Sequence, residues 1–452
     1  MVAFALALAV NHYQVGCDCA GLPRRMTMDG GEDAGEDAGQ LGDGGYPPEP
    51  RFAAWPRKIS EARQDAFPIT GSCRLPGGDI ELSGAFSTRT PCLDDGGWRV
   101  EASFRAKAQG DVTVRAVQWS PDRALRSVAV SRTWVKETDV CDVTANRDAR
   151  PFAGGTGTVA SPLLICTATQ LAAGIGPTDT VMLVNDLFLD GGFTTLTGPG
   201  GQWSGNFEGN GFVITNLTVP LVETLAGNGI VRSVRIENAD ITGFPLGHSG
   251  AIAGTVTDVS TVSDCSVSGV LTGPGDHIGA LVGSNYGDIV RCDAQMTVNG
   301  GYAVGGLVGH NYGLIERSWS TGDATAPGGC AGGFVGRNDG DIRDCFSTGA
   351  GFAQADMGGG FIGEMIQGST ERCYSTGTAT ATDTPGGFIG VNSGSTSVVE
   401  SYWNVETSAL SVSALGAPLS SADLADAGTF STWDFTDVWV FDPQRSAFPV
   451  LR

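Results

Sequence analysis

Charged residues are scarce in this chain, and basic residues are the scarcer kind. Only 17% of its 452 residues are charged, against about a quarter in a typical soluble protein. Lys and Arg total 27 whereas Asp and Glu total 49, which gives a net charge of −22. Because an acidic surface repels phosphates, we expect no nucleic-acid partner.

Long apolar runs are also missing. The run Val2 to Val10 has the length of the apolar part of a signal peptide and is far too short to span a bilayer. Cys17 follows it, where a lipoprotein signal would carry its lipid-modified cysteine. Residues 1–20 are therefore predicted to be a plain secretion signal or a lipoprotein signal, and the sequence leaves both open. Contact with a membrane is expected only through such a lipid anchor.

Cysteine, by contrast, is abundant. Eleven cysteines favour an oxidising compartment, so we expect a secreted or outer-membrane-anchored protein at the cell surface. Cys73 and Cys92 flank the first hairpin region of their unit and are predicted to pair. Cys141 and Cys166 bracket the junction with the next unit and are candidates for a second disulfide, although spacing alone does not settle their partners.

Two segments precede the main repeat region. Residues 21–65 are predicted to be a disordered linker, because the acidic Gly/Asp-rich tract at 29–50 has too little apolar surface to bury. Residues 66–140 instead contain short alternating runs separated by turns, such as DVTVRAVQW from Asp111 to Trp119. That alternation predicts a small antiparallel β-sandwich.

The strongest pattern is a repeat of about 27 residues. A five-residue core of the type GGLVG recurs, beginning at Gly250, Gly279, Gly305, Gly332, Gly359 and Gly386. One such repeat cannot bury its own apolar face and must stack on its neighbours. Residues 150–405 are therefore predicted to form a parallel β-helix, an all-β solenoid, and residues 406–452 a C-terminal capping segment.

Each repeat position becomes a column of stacked side chains in a solenoid. The apolar pair in each core, such as Leu281 and Val282, is expected to place one residue inside and the other outside. A second apolar column contains Ile289, Ile315 and Ile342. The core glycines are expected to supply positive φ and close backbone approach. The copy at Gly359 is expected to be distorted, because Met365 replaces an Asn and one residue is inserted.

Three polar columns recur as well. Stacked amides hydrogen-bond from rung to rung, which predicts a structural ladder of Asn285, Asn311, Asn338 and Asn392. A second column lacks the neighbouring histidine that would activate a thiol and is predicted to be a buried stack: Cys265, Cys292, Ser318, Cys345, Cys373 and Ser401. The third is a short hydroxyl ladder at Ser-Thr-Gly triplets that suits turn formation: Ser320, Ser347 and Ser375.

The best metal candidate in the sequence is weak. His248 and His277 share a column with Cys330, but Ala303 interrupts it and no carboxylate recurs beside it. We therefore expect two stacked surface histidines, with no metal, cofactor or catalytic residue.

The stretch GGLVGHNYGLIERSWSTG, from Gly305 to Gly322, resembles the GLUG repeat of bacterial surface proteins, and residues 250–404 match that pattern in order. The resemblance implies a secreted, adhesin-like β-helix with no catalytic residues to carry over. GLUG repeats also accompany some immunoglobulin-cleaving metallopeptidases, but their HExxH motif is absent from this sequence. Residues 66–140 similarly resemble immunoglobulin-like modules of bacterial surface proteins, which act as spacers or adhesive units.

These observations favour a non-enzymatic surface protein, expected to be monomeric, whose β-helix presents a binding surface for a glycan or a protein. The alternative is a polysaccharide-acting lyase or hydrolase, which needs acids clustered in one cleft. The acids of the repeats occupy regular or loop positions instead: Asp288, Asp293, Glu316, Asp341, Asp344 and Glu371. A purely structural spacer is the third hypothesis, and the sequence does not separate it from the first.

Overall fold

The computed structural model describes residues 50–52, 58–59, 67–73, 77–93, 97–104, 107, 110–136, 141, 146, 149–242, 247–354, 357–442 and 445–452. They fall in two compact units. The first contains the described residues up to Val135 except Lys58 and Ile59, and the second contains those two and everything from Lys136 onward. The predicted signal, Cys17 and almost all of the predicted linker lie outside the described residues.

The first unit is built from antiparallel strands. Three of them form one sheet: Arg51–Phe52, Phe67–Ser72 and Gly97–Ala102. A second sheet contains Asp79–Gly84, Thr88–Pro91, Gly110–Trp119 and Val130–Lys136. The two sheets share a core, because the Phe67 ring packs edge-on against Trp134, with centroids 5.7 Å apart. Cys73 and Cys92 form the expected disulfide here.

The second unit is a parallel β-solenoid of about eight turns with a spacing of about 27 residues, as predicted. Each full rung contributes strands to four sheets, called I to IV below. Sheet I contains Leu163–Ile165, Thr180–Leu183, Asn206–Glu208, Ile230–Arg232, Thr261–Ser263, Asp288–Val290, Leu314–Glu316, Asp341–Arg343, Ser369–Glu371 and Ser397–Val399. Sheet II contains Leu187–Phe188, Val213–Thr215, Arg235–Thr242, Ser266–Thr272, Asp293–Asn299, Trp319–Ser320, Ala324–Ala326, Phe346–Ser347, Gly351–Ala353, Tyr374–Ser375, Ala379–Thr380, Tyr402–Asn404 and Ala417–Leu419.

Sheets III and IV carry the GGLVG cores. Sheet III contains Gln202–Trp203, Val222–Leu225, Ala253–Val256, Val282–Asn285, Val308–Asn311, Val335–Asn338, Ile362–Met365 and Ile389–Asn392. Sheet IV contains His248–Ser249, His277–Gly279, Ala303–Gly305, Cys330–Gly332, Met357–Gly359 and Thr384–Gly386. The apolar pair lies at the corner from sheet IV to sheet III. The expected inward–outward split is wrong there, because Leu281 lies in the bend, Val282 begins the next strand, and both are fully buried in the core.

The core glycines bring the backbones of sheets III and IV together. A Cβ on Gly309 would lie 2.5 Å from the backbone nitrogen of Ile278, and one on Gly283 would lie 2.5 Å from that of Ser249. Close approach is therefore confirmed as their role. Positive φ is not, since none of these glycines adopts it.

Positive φ occurs instead at the corner between sheets I and II, at residues that are not glycine. One column there has φ between 48° and 54°: Asp264, Arg291, Arg317, Asp344, Arg372 and Glu400. This conformation costs roughly 1 kcal/mol or more for an ordinary residue. Arg291 forms two hydrogen bonds to Asp264, of 2.7 and 2.8 Å, so neighbours in the column stabilise one another.

The rung with Met365 keeps its register. Asn338, Met365 and Asn392 remain aligned, and the extra residue is absorbed by a turn in which Gly368 has φ of 78°. The expected distortion is thus confined to one corner, because the strands on both sides still hydrogen-bond to their neighbours.

Short elements close the ends of the solenoid. The helix Ala168–Leu171 starts at the N-cap Thr167 and buries Leu171. Cys141 and Cys166 are disulfide-bonded beside it. A 3₁₀-helix, Pro199–Gly201, precedes the first strand of sheet III. After the last rung come the helices Val405–Ser408 and Ser421–Leu424, the 3₁₀-helix Ala427–Phe430 and an antiparallel pair of strands, Trp439–Val440 and Val450–Leu451.

The C-terminal segment does more than cap the final rung. Its buried side chains, including Trp433 and Trp439, pack on an aromatic column on the outer side of sheet II, which contains Trp319, Phe346, Tyr374 and Tyr402. The hydroxyl of Tyr374 donates to the carbonyl of Pro449 at 2.7 Å. The aromatic residues of this segment are therefore core residues rather than an exposed binding surface.

Candidate functional site

The predicted asparagine ladder exists over three rungs. Asn285 Nδ2 donates to Asn311 Oδ1, and Asn311 Nδ2 donates to Asn338 Oδ1, both at 2.8 Å, with all three side chains fully buried. The prediction that Asn392 belongs to this ladder is wrong. Met365 separates it from Asn338, and Asn392 is exposed and accepts a hydrogen bond from Thr396 instead. The ladder is a structural device inside the solenoid.

The cysteine and serine columns are also internal. In the described part of the chain, five cysteines are buried outside the two disulfides: Cys265, Cys292, Cys330, Cys345 and Cys373. Burial raises the pKa of Cys292 and of Cys345 well above the usual thiol value. Ser320, Ser347 and Ser375 are fully buried, so they cannot form a flat external hydroxyl face.

Several of the acids weighed for catalysis hold structural partners. Asp344 accepts two hydrogen bonds from Arg372, at 2.7 and 3.0 Å, and another from Trp439 Nε1. Asp293 accepts from Ser266 at 2.8 Å, and its burial raises the pKa of its carboxyl. These acids fix corners and columns of the stack.

The irregular histidines, however, lie in a cluster. His248 and His277 are neighbours in sheet IV, and their rings stack with centroids 4.6 Å apart. Ala303 follows in the same column, and Cys330 comes after it, fully buried. Cys330 is therefore separated from the histidine pair by a rung, and the three residues form no common site.

A third histidine joins the pair from sheet III. The His310 ring packs edge-on against His277, with centroids 4.8 Å apart, and its Nδ1 lies 3.4 Å from His277 Nε2. Sequence reasoning missed His310 because it belongs to a different repeat position. The signal was a constant offset of seven residues between facing positions of sheets IV and III, as in the hydrogen bonds from His248 to Thr255 and from His277 to Ser284. One rung later, the same offset leads from Ala303 to His310.

Each histidine is oriented by a second group. His248 Nδ1 lies 3.2 Å from Thr255 Oγ1, and His277 Nδ1 lies 2.8 Å from Ser284 Oγ. His310 Nε2 lies 2.6 Å from the carboxylate of Asp339, and the His310 ring is only 3% exposed. The imidazoles are thus held in fixed rotamers.

Two tyrosines extend the cluster along the stack. The ring of Tyr312 stacks on His310 at 3.9 Å and on Tyr286 at 4.4 Å. Tyr286 and Tyr312 are 40% and 39% exposed. We call the set His248, His277, His310, Tyr286, Tyr312 and Asp339 the histidine–tyrosine strip.

Burial governs the protonation of the strip. It lowers the pKa of His277 to about 4, assisted by His310, His248 and Arg337 as neighbouring positive or potentially positive groups. Burial also lowers the pKa of His248 and of His310, although Asp339 opposes the effect on His310. All three imidazoles are therefore neutral at pH 7. Burial beside Tyr286 raises the pKa of Tyr312 to about 12.

An ion pair continues the outer column of sheet III beyond His310. Arg337 Nε lies 3.5 Å from Glu364, whose other carboxylate oxygen accepts from Ser393 at 2.7 Å. Arg337 is therefore paired with a carboxylate rather than with a residue of the strip. In the described part of the chain, no three His, Cys, Asp or Glu side chains converge as a ready metal site.

Comparison with known proteins agrees with the repeat architecture. The GLUG motif matches residues 327–350. A stretch of 102 residues, 21% of the chain, is 34% identical to halomucin of Haloquadratum walsbyi but spans only 1% of that protein. An IgA1 protease structure resembles 72% of this chain at 16% identity and a TM-score of 0.43, and the match covers 28% of that structure. Among the described residues, no helix combines the length and apolar character needed to cross a bilayer. The chain is a β-solenoid repeat protein, and residues 327–350 within its repeats match the GLUG motif.

Proposed function

We propose that this chain is a non-enzymatic protein of the cell surface, secreted or held by a lipid on Cys17, whose solenoid presents a binding surface to a glycan. The first unit serves as an immunoglobulin-like spacer between anchor and solenoid. The observation that carries the proposal is the histidine–tyrosine strip. In this strip, exposed aromatic rings lie beside fixed polar groups on an otherwise regular scaffold.

The chemistry of the strip suits a sugar ligand. Tyrosine offers an apolar ring and a polar hydroxyl at low cost in conformational entropy, so exposed tyrosines are common in binding surfaces. Tyr286 and Tyr312 are already fixed by stacking on each other and on His310. A preorganised surface loses less entropy on binding than a mobile one.

A glycan array with the full chain tests the proposal. We expect binding that is lost in the double variant Tyr286→Ala/Tyr312→Ala and kept in Val270→Ala, a matched change at an apolar side chain 41% exposed on sheet II. Equal binding by both variants would move the ligand site elsewhere. No glycan binding by the wild-type chain would favour a protein partner or a spacer role.

The enzymatic alternative has less support. A hydrolase or lyase needs two or more acids free to act on one bond, whereas Asp344 and Asp293 are bound to structural partners. Release of new reducing ends from a set of polysaccharides by the purified chain would contradict the non-enzymatic proposal.

A further inference from the structure

We propose that His277 and His310 form a binding site for a divalent transition-metal cation such as Zn²⁺, between sheets III and IV. The proposal is independent of glycan binding. It rests on two imidazole nitrogens from different rungs that lie at the separation expected for two ligands of one tetrahedral ion.

The distance between the two nitrogens is the one that two ligands of a tetrahedral ion have. His277 Nε2 and His310 Nδ1 are 3.4 Å apart. Two imidazole nitrogens, each about 2.0–2.1 Å from a tetrahedral zinc, are separated by about 3.3 Å. The rings are nearly perpendicular, at 81°, so an ion can lie close to both ring planes. A cation can therefore enter with little movement of either ring.

The partners of the two rings leave the facing nitrogens available. Asp339 accepts a hydrogen bond from the N–H at His310 Nε2, so His310 Nδ1 carries a lone pair. This is the carboxylate–histidine arrangement that orients imidazole ligands of metals. Ser284 Oγ lies on His277 Nδ1, and a hydroxyl can either donate or accept.

That versatility gives the site two states. Without an ion, the proton of His277 resides on Nε2, and this N–H donates a hydrogen bond to His310 Nδ1. With an ion, the proton of His277 resides on Nδ1 and is accepted by Ser284, and Nε2 binds the metal. His277 is neutral in both states, so ligation needs no net release of a proton.

Electrostatics and access are compatible with a cation. The nearby Arg337 guanidinium lies 3.5 Å from the carboxylate of Glu364, which offsets its positive charge. His277 is only partly buried, so solvent reaches part of its ring. Two protein ligands leave the remaining positions to water or to an oxygen of a bound partner.

Isothermal titration calorimetry with Zn²⁺ tests the site on the full, untagged, chelator-treated chain at pH 7. We expect one saturable site that is lost in His277→Gln and in His310→Gln. His248→Gln is the matched control and should retain binding, because His248 only stacks on His277. Asp339→Asn should weaken binding by about 10- to 100-fold, as such second-layer changes usually do. With Cu²⁺, electron paramagnetic resonance should detect two imidazole nitrogens in the wild type.

Several outcomes would overturn the assignment. They are the absence of saturable Zn²⁺ binding, binding that survives His277→Gln, or binding that His248→Gln abolishes in a folded chain. If the buried His310 variant fails to fold by circular dichroism, the partly exposed His277 variant and the Cu²⁺ spectrum still decide the question. The enthalpy should also be independent of the ionisation enthalpy of the buffer, because no net proton is released. An enthalpy that varies with the buffer would contradict the two-state tautomer scheme.

Discussion

Replacing Asn311 by Ala should destabilise the solenoid far more than the same replacement of Asn392. The Asn311 side chain is fully buried and takes part in three hydrogen bonds, with Asn285, Asn338 and the carbonyl of Gly313. Each neutral hydrogen bond contributes about 1 kcal/mol net, and a buried polar atom left without a partner costs about 1–3 kcal/mol. Three bonds are lost and Asn338 Oδ1 loses its ladder donor, so we expect a loss of about 4–6 kcal/mol in the free energy of unfolding.

Asn392→Ala is the matched control because it removes the same group from the same column. Asn392 is exposed and has a hydrogen bond only from Thr396 among the contacts of its amide that the structure shows. Its replacement should change the free energy of unfolding by no more than about 0.5 kcal/mol, as for most surface substitutions.

Urea unfolding followed by far-UV circular dichroism measures both changes. Hydrogen exchange adds local detail, because a solenoid is stabilised rung by rung and the loss should concentrate in the rungs of Asn285 and Asn338. If the two variants differ by less than about 1 kcal/mol, the ladder gives no net stabilisation and the reasoning from buried amide bonds is wrong.

Four further predictions test other parts of the structure. Gly309→Ala should prevent folding, by circular dichroism, because its Cβ would contact the sheet IV backbone, whereas Gly328→Ala should fold, since the nearest atom to its Cβ is 3.5 Å away. Cys292 should resist iodoacetamide at pH 8 in the native chain and react in urea, because burial raises its pKa, as mass spectrometry would show. Tyr374→Phe should cost about 1 kcal/mol and speed proteolytic removal of the C-terminal segment. The pKa of His277 falls from about 6.5 in the unfolded chain to about 4 in the native one, so the unfolded state gains its proton first as pH falls. Stability should therefore drop between those pH values, and His277→Gln should reduce the drop in urea midpoints measured at pH 7 and pH 4.5.

The sequence predicts the parts of this fold that depend on regular repetition. Period, parallel stacking and the buried Ile289 column follow from one rule, that equivalent residues of adjacent rungs lie side by side. Of the two roles expected for the core glycines, close backbone approach is predicted correctly from their regular spacing. The backbone conformation is not predicted, because positive φ at Arg291, whose side chain hydrogen-bonds to Asp264 of the preceding rung, goes against the intrinsic preference of the residue.

The candidate site is harder to predict because it joins different repeat positions. An alignment of repeats places His277 and His310 in separate columns and hides the contact between sheets IV and III. The C-terminal packing is hidden for a similar reason, since Trp439 contacts Asp344 across 95 positions of the chain. Non-local contacts of this kind leave no periodic signal.

The location of the strip follows from how the stack constrains its residues. Inward columns vary less in size and polarity, because a change there disturbs two neighbouring rungs at once. The outer column of sheet III instead runs Ser284, His310, Arg337, Glu364 and Val391, with a different chemistry on each rung. The regular backbone fixes where these side chains stand, while their identity is free to vary. A shift of pairing by one residue would turn His310 to the other face of its sheet and separate it from His277. The regular repeat is therefore what allows two unrelated positions to form one site.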